Sequence, residues 1–279
     1  MRSSLSALAR LTIVSLVLWT TACSHSPQFQ TSNTIRLAVV NTPQDSGLID
    51  YLLADFTTET GYQVNVYSGS DVFERALDGQ ADLVIAHYGK SGMQEFVQSG
   101  FGSWPKMVFA NQVVLIGPIS DPANVAEADS LEQALTAIQT SHNKLLANNN
   151  HGVEALTNTI MAMLNTTATA EWFIDDGVSN SEAIEAAEKH QAYVIWGAVP
   201  FLKYQETHAS AMRIIYTDDA VLQRIMAITR VLDDKRPINR AGAQALEAYL
   251  LRDDIQAKVL AYRMADIDSP LWWPAARHN

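Results

Sequence analysis

Cysteine is almost missing from this chain: Cys23 is the only one in 279 residues. No intrachain disulfide framework can exist, so folding must rest on apolar burial. Positive charge is scarce as well, with 19 Lys and Arg against 30 Asp and Glu and a formal net charge of -11. Without a basic stripe or an aromatic–basic motif, that balance excludes a nucleic-acid-binding module. It also weakly repels free anions at long range, so an anion site would need strong local donors. No apolar stretch is long enough for a membrane-spanning helix, the short run near the N-terminus included.

Catalytic signatures are missing too. There is no Gly-x-Ser-x-Gly elbow, no Walker-type glycine loop and no His-Glu-x-x-His pair. The seven histidines (His25, His87, His142, His151, His190, His208 and His278) are scattered without metal-ligand spacing. The acidic pairs Asp218–Asp219, Asp233–Asp234 and Asp253–Asp254 stand at turns or helix starts, where carboxylates favour the helix dipole. A hydrolase using these acids is the weakest of the readings. The chain is read as a non-enzyme with no metal, no cofactor and no ATPase activity of its own.

What is present begins with an export signal. Arg2 and Arg10 precede the apolar run Leu11–Leu18, and Thr20-Thr21-Ala22-Cys23 follows. A positive end, a short apolar core and small residues in that order mark a secretory leader. A cysteine at the cleavage point reads as a bacterial lipobox: residues 1–22 are removed and Cys23 is acylated as a membrane anchor. Thr20 stands where such signals usually carry Leu, and the competing reading is an ordinary leader followed by an incidental cysteine. Residues 24–33 are polar and aperiodic, as a tether should be. Losing the leader's two arginines takes the net charge from -11 to about -13. The remaining ~257 residues suffice for one large domain or two lobes.

From Ile35 onward, strand and helix patterns alternate. Ile35–Val40 is a short apolar run, and Ser46–Thr60 carries Leu48, Ile49, Leu52, Leu53 and Phe56 at helical spacing before Gly61. Strands at Val64–Tyr67 and Leu83–Ala86 alternate with helices at Val72–Leu77 and Met93–Gln98. After a strand at Val113–Pro118 come helices near 130–140, 152–164 and 180–190, with strands at Leu145–Leu146 and Tyr193–Ile195. Met226–Leu232 reads as a strand returning to the first lobe, where helices near 239–251 and 253–262 pack. Such alternation predicts an α/β fold with mainly parallel sheets flanked by helices.

The motifs Asp45-Ser46-Gly47-Leu48-Ile49-Asp50, Ala81-Asp82-Leu83-Val84-Ile85-Ala86-His87, Glu95-Phe96-Val97 and Val114-Leu115-Ile116-Gly117-Pro118 occur in a characteristic order. With Glu171-Trp172-Phe173 and Gly177, they resemble the tungstate-binding, periplasmic-binding-protein-like components of bacterial ABC transporters. The resemblance covers most of residues 35–260 and implies two α/β lobes joined by two crossings, with solute held between them. On that basis residues 34–112 begin lobe 1, 113–222 form lobe 2, and 223–279 complete lobe 1. The family's Thr-Thr-Thr-Ser run is here Val39-Val40-Asn41-Thr42, and its Ser-Arg-Gly-Asp-type loop is Ala147-Asn148-Asn149-Asn150-His151-Gly152. A later Thr-Asp-Arg-Gly segment is Trp196-Gly197-Ala198-Val199, while Asn111-Gln112 partly keeps the family's Asn-Asp. The scaffold is kept and the anion chemistry is rewritten, with no arginine in these loops; weak or absent tungstate binding is expected.

The residues support a polar-solute site by themselves. Helix starts after strands, at Ser46-Gly47, Ser70-Asp71 and Asn150-Gly152, offer free N–H groups. The competing account for each is a helix cap worth about 1 kcal/mol. The expected ligand contacts are Asn41, Thr42, Ser70, Asn111, Asn148, Asn149 and Trp196. Trp196 is read equally as ring-stacking and as lobe packing, and His151 as a solvent-facing loop residue. Trp272-Trp273-Pro274 is expected to pin the tail to lobe 1. The resulting expectation is a monomeric, lipid-anchored binding protein on the periplasmic side of the cell envelope. It would take an oxyanion or a neutral polar solute to an inner-membrane permease and ATPase. The alternative is a ligand-sensing or interaction lipoprotein on the same scaffold.

Overall fold

A computed structural model describes residues 33–165, 171–233, 236–265 and 267–276. The expected leader, the Cys23 anchor and the tether up to Ser32 lie outside the described residues. Ten strands are seen: β1 (Thr34–Val39), β2 (Gln63–Ser68), β3 (Leu83–His87), β4 (Lys106–Pro118), β5 (Leu145–Leu146), β6 (Phe173–Ile174), β7 (Tyr193–Gly197), β8 (Met212–Tyr216), β9 (Gln223–Arg230) and β10 (Trp273–Pro274). The helices are α1 (Asn41–Asp45), α2 (Leu48–Thr60), α3 (Val72–Leu77), α4 (Met93–Gln98), α5 (Leu131–Thr140), α6 (His151–Met163), α7 (Ser181–His190), α8 (Ala198–Thr207), α9 (Arg240–Leu250) and α10 (Asp253–Ala261).

The strands join in the order β2-β1-β3-β9-β4-β7-β5-β6, with β8 and β10 also pairing β4. At each end the sheet is parallel, as the alternation predicts: β1 lies parallel to β2 and β3, and β5 to β6 and β7. Its centre is antiparallel. Strand β9 runs opposite to both β3 and β4, and β4 runs opposite to β7 and β8. The pairing of β9 joins segments more than a hundred residues apart, so no local period announces it.

Strand β4 is longer than the Val113–Pro118 run suggests. Residues Lys106–Gln112 pair β9, and Val113–Pro118 pair β7 and β8, so one strand serves both halves of the sheet. The polar pair Asn111-Gln112 interrupts the apolar pattern where the strand changes partners. Beyond that point, successive side chains fall on opposite faces. Val114 and Ile116 join the core that includes Ile35, Leu52 and Phe109, while Val113 and Leu115 join a second core around Leu131, Leu135 and Ile160.

Two tertiary ties complete the first half. Asp82 is fully buried, accepts the backbone N–H of Arg36 (2.7 Å) and that of Asn239 (2.9 Å), and pairs with the Arg36 guanidinium. At the C-terminal end, Trp272 is fully buried edge-on to Phe109 with ring centroids 5.3 Å apart, and Trp273–Pro274 pair with β4.

Candidate functional site

A cleft of about 250 Å³ opens where β4 changes partners. It lies at the carboxyl ends of β1, β3, β5 and β7, where parallel strands feed helices and backbone donors converge. The segment after β1 is a helical turn, α1, instead of a loop; Pro43 fits there because first-turn N–H groups have no intrahelical acceptor. This turn places Asn41, Thr42 and Asp45 on one wall. His87 comes from the end of β3, Asn111, Gln112 and Val113 from β4, and Arg224 from β9. The facing wall is made by Asn150, Gly152 and Val153 at the start of α6, by Asn180, and by Trp196, Gly197 and Pro200.

Arg224 is the residue that sequence reasoning missed. The loops in which an arginine was sought hold none, yet a guanidinium lines the cleft from a strand placed directly opposite Asn111. Among the described residues no hydrogen bond or ion pair engages it. Burial alone shifts its pKa downward from the ordinary arginine value, and guanidinium remains protonated regardless. The available signal was an arginine beside the apolar run Ile225–Ile228, because strand-borne charge is costly to bury without a purpose.

His87 was not selected either. Its burial, with Arg224 nearby and Lys90 further off, pushes the imidazole pKa down to about 4, against a smaller opposing effect of Asn111. Near neutral pH it is therefore an uncharged ring with one donor and one acceptor. Asn111 is 4% exposed, and its side chain faces the His87 ring. Asp45 sits exposed on the cleft wall, and partial burial raises its carboxyl pKa while Lys203 lowers it.

Of the expected contacts, the structure brings Asn41, Thr42, Asn111 and Trp196 together on this cleft. Asn41 is oriented by Ser68, whose hydroxyl donates to its Oδ1 at 3.0 Å. Trp196 lies within β7, not after it, and is 7% exposed, so it packs in the core and lines the cleft at once. Ser70, Asn148 and Asn149 are not among the lining residues. Ser70 is exposed beyond β2, outside α3, whose N-cap is Asp71. Asn149 donates to Asp175 Oδ1 at 2.9 Å on an exposed loop.

Asn148 works from behind. It is 2% exposed, and its Oδ1 accepts the N–H groups of Asn150 (3.2 Å) and Asn180 (2.9 Å). Asn150 in turn caps α6 through Gly152 N–H (2.7 Å) and donates to Asn180 Oδ1. Asn180 holds a φ of 55° with ψ -130°, a positive-φ conformation that glycine adopts most readily. The Asn148-Asn149-Asn150 run thus divides its work: one residue braces, one ties a loop, and one faces the cleft. The side chain of His151 lies outside the described residues.

A sheet whose strand ends frame a polar cleft, floored by two crossing strands, defines a solute-binding protein. The chain belongs to the bacterial extracellular solute-binding protein family, whose model matches residues 37–262. It is 27% identical over 287 residues to the tungstate-binding protein TupA of Peptoclostridium acidaminophilum, with 99% of each chain covered. The solved tungstate-binding protein TupA of Desulfovibrio alaskensis G20 superposes with a TM-score of 0.74 at 18% identity, covering 87% of this chain and 99% of that one. The tungstate ABC transporter structure from Geobacter sulfurreducens gives 0.69 at 21% identity, over 82% and 98% of the two chains. Those structural likenesses define the fold.

Proposed function

We propose that this protein captures a small anion in the β4–β9 cleft and delivers it to the permease and ATPase of an ABC-type importer. The observation that carries the reading is Arg224, a guanidinium lining a polar cleft without a partner among the described residues. A partly desolvated cation of this kind gains most from a charge-assisted hydrogen bond to a ligand oxygen. Asn41, Thr42 and neutral His87 supply further donors beside it. The full-length likeness to a tungstate-binding protein supports the transport role.

The lobes would be residues 34–112 with 223–279, and residues 113–222, hinged where β4 and β9 cross. Ligand bridging both would favour the closed arrangement. The mature protein would be a monomer on the periplasmic side, held by acylated Cys23 and a short tether. No helix among the described residues is long and apolar enough to cross a membrane.

The test is Arg224→Gln, with anion binding followed by titration calorimetry. Loss of about a hundredfold in affinity is expected from removing the charged donor. Unchanged affinity in the folded variant would move the site elsewhere.

A further inference from the structure

Resting on that anion-capture reading, we infer that the cleft is built for a small organic monocarboxylate with an apolar body, in preference to an inorganic dianion such as tungstate. Charge is the first reason. Arg224 is the one permanently cationic residue lining the cleft among the described residues, and Asp45 lines the same cleft with the opposite sign. Lys203 and Lys90 lie close enough to influence Asp45 and His87, but neither lines the cleft. His87 adds no charge near neutral pH, because burial keeps its imidazole unprotonated. One guanidinium compensates one negative charge. The second charge of a dianion would sit in a partly buried site, facing a carboxylate and no further cation, which is costly.

The second reason is the lining. Trp196 and Pro200 form an apolar surface beside the amides, and Val113 and Val153 extend it. A tetrahedral oxyanion is polar over its whole surface and would leave these groups facing nothing that benefits from them. A carboxylate splits the problem: its oxygens meet Arg224 and the amides, while its carbon body covers the indole and the proline ring.

Carboxylates of two kinds fit this chemistry. A plain carboxylate would place only its anionic end at Arg224. An α-amino acid would add an ammonium group, which Asp45 could accept. Substitution of Asp45 separates them.

The experiment is calorimetric titration of the full chain with sodium tungstate, sodium sulfate and a panel of monocarboxylates and α-amino acids, repeated with Arg224→Gln, Asp45→Asn and Trp196→Leu. We expect at least one panel member to bind about a hundredfold more tightly than tungstate or sulfate, with binding lost in Arg224→Gln. Trp196→Leu should weaken that carboxylate, by loss of the indole surface that its carbon body covers. Asp45→Asn should weaken an amino acid and strengthen a plain carboxylate. Tungstate or sulfate binding more tightly than every panel member, with dependence on Arg224, overturns this inference and leaves anion capture standing. Binding of no anion, or binding indifferent to Arg224, overturns both. Should Trp196→Leu fail to fold, the tungstate-against-panel comparison on the unsubstituted protein decides alone.

Discussion

The acid–base behaviour of His87 follows from where the strand leaves it. Its pKa near 4 when folded, against about 6.5 in an unfolded chain, means that the unfolded state binds more protons between those values. Stability therefore rises with pH through this window; the contribution is complete above about 6.5 and is lost as pH falls towards 4. A shift of that size corresponds to about 3 kcal/mol over the window. Urea melts at pH 7, 5.5 and 4 should show a steeper loss for the natural protein than for His87→Gln. Parallel curves for the two would show that the ring is solvated. The same desolvation lowers the pKa of Arg224 without discharging it, so the cleft keeps its cation across the whole range.

At the level of elements, the second wall of the cleft depends on a residue that does not line it. Asn148 Oδ1 holds two backbone N–H groups, those of Asn150 and Asn180, and these residues then meet each other. Removing that carbonyl in Asn148→Ala leaves both N–H groups without their acceptor, at a cost of about 2–3 kcal/mol. Anion affinity should fall with it, because Asn150 and Asn180 lose their placement. Hydrogen exchange should quicken at Asn150 and Asn180 before it changes in β1 or β3. A variant that loses stability uniformly, with exchange in this loop unaltered, would contradict the bracing role. The polar run around Asn148 was legible as a solute-facing loop, but the allocation of its three amides was not. Which of three adjacent side chains turns inward depends on the turn and on Asn180, thirty residues away.

The whole molecule is closed by its C-terminal segment. Trp272 is fully buried against Phe109 of β4, and Gln256 Oε1 accepts the N–H groups of Ala275 and Ala276. Trp272→Ala should cost about 3–5 kcal/mol in denaturant unfolding, by loss of burial and cavity formation. Trp272→Phe should cost much less, since the indole Nε1–H has no hydrogen-bond partner to lose. An equal loss for both substitutions would point to a polar role that the structure lacks. For attachment to the envelope, Cys23→Ser should release the protein from the membrane fraction and abolish fatty-acid labelling. Retention on membranes after that change would exclude the lipid anchor.

Local pattern in the sequence determined most of the elements, because a helix stripe such as Leu48 to Phe56 and a buried strand such as Leu83 to Ala86 announce themselves within a few residues. It also carried the family resemblance and four of the residues on the cleft, Asn41, Thr42, Asn111 and Trp196. Tertiary structure alone decided that β9 returns antiparallel between β3 and β4, which sets Arg224 across from Asn111. The physical reason is distance along the chain: residues 111 and 224 become neighbours only through a backbone ladder between remote strands. Their side chains share no period, spacing or motif that could be read before folding.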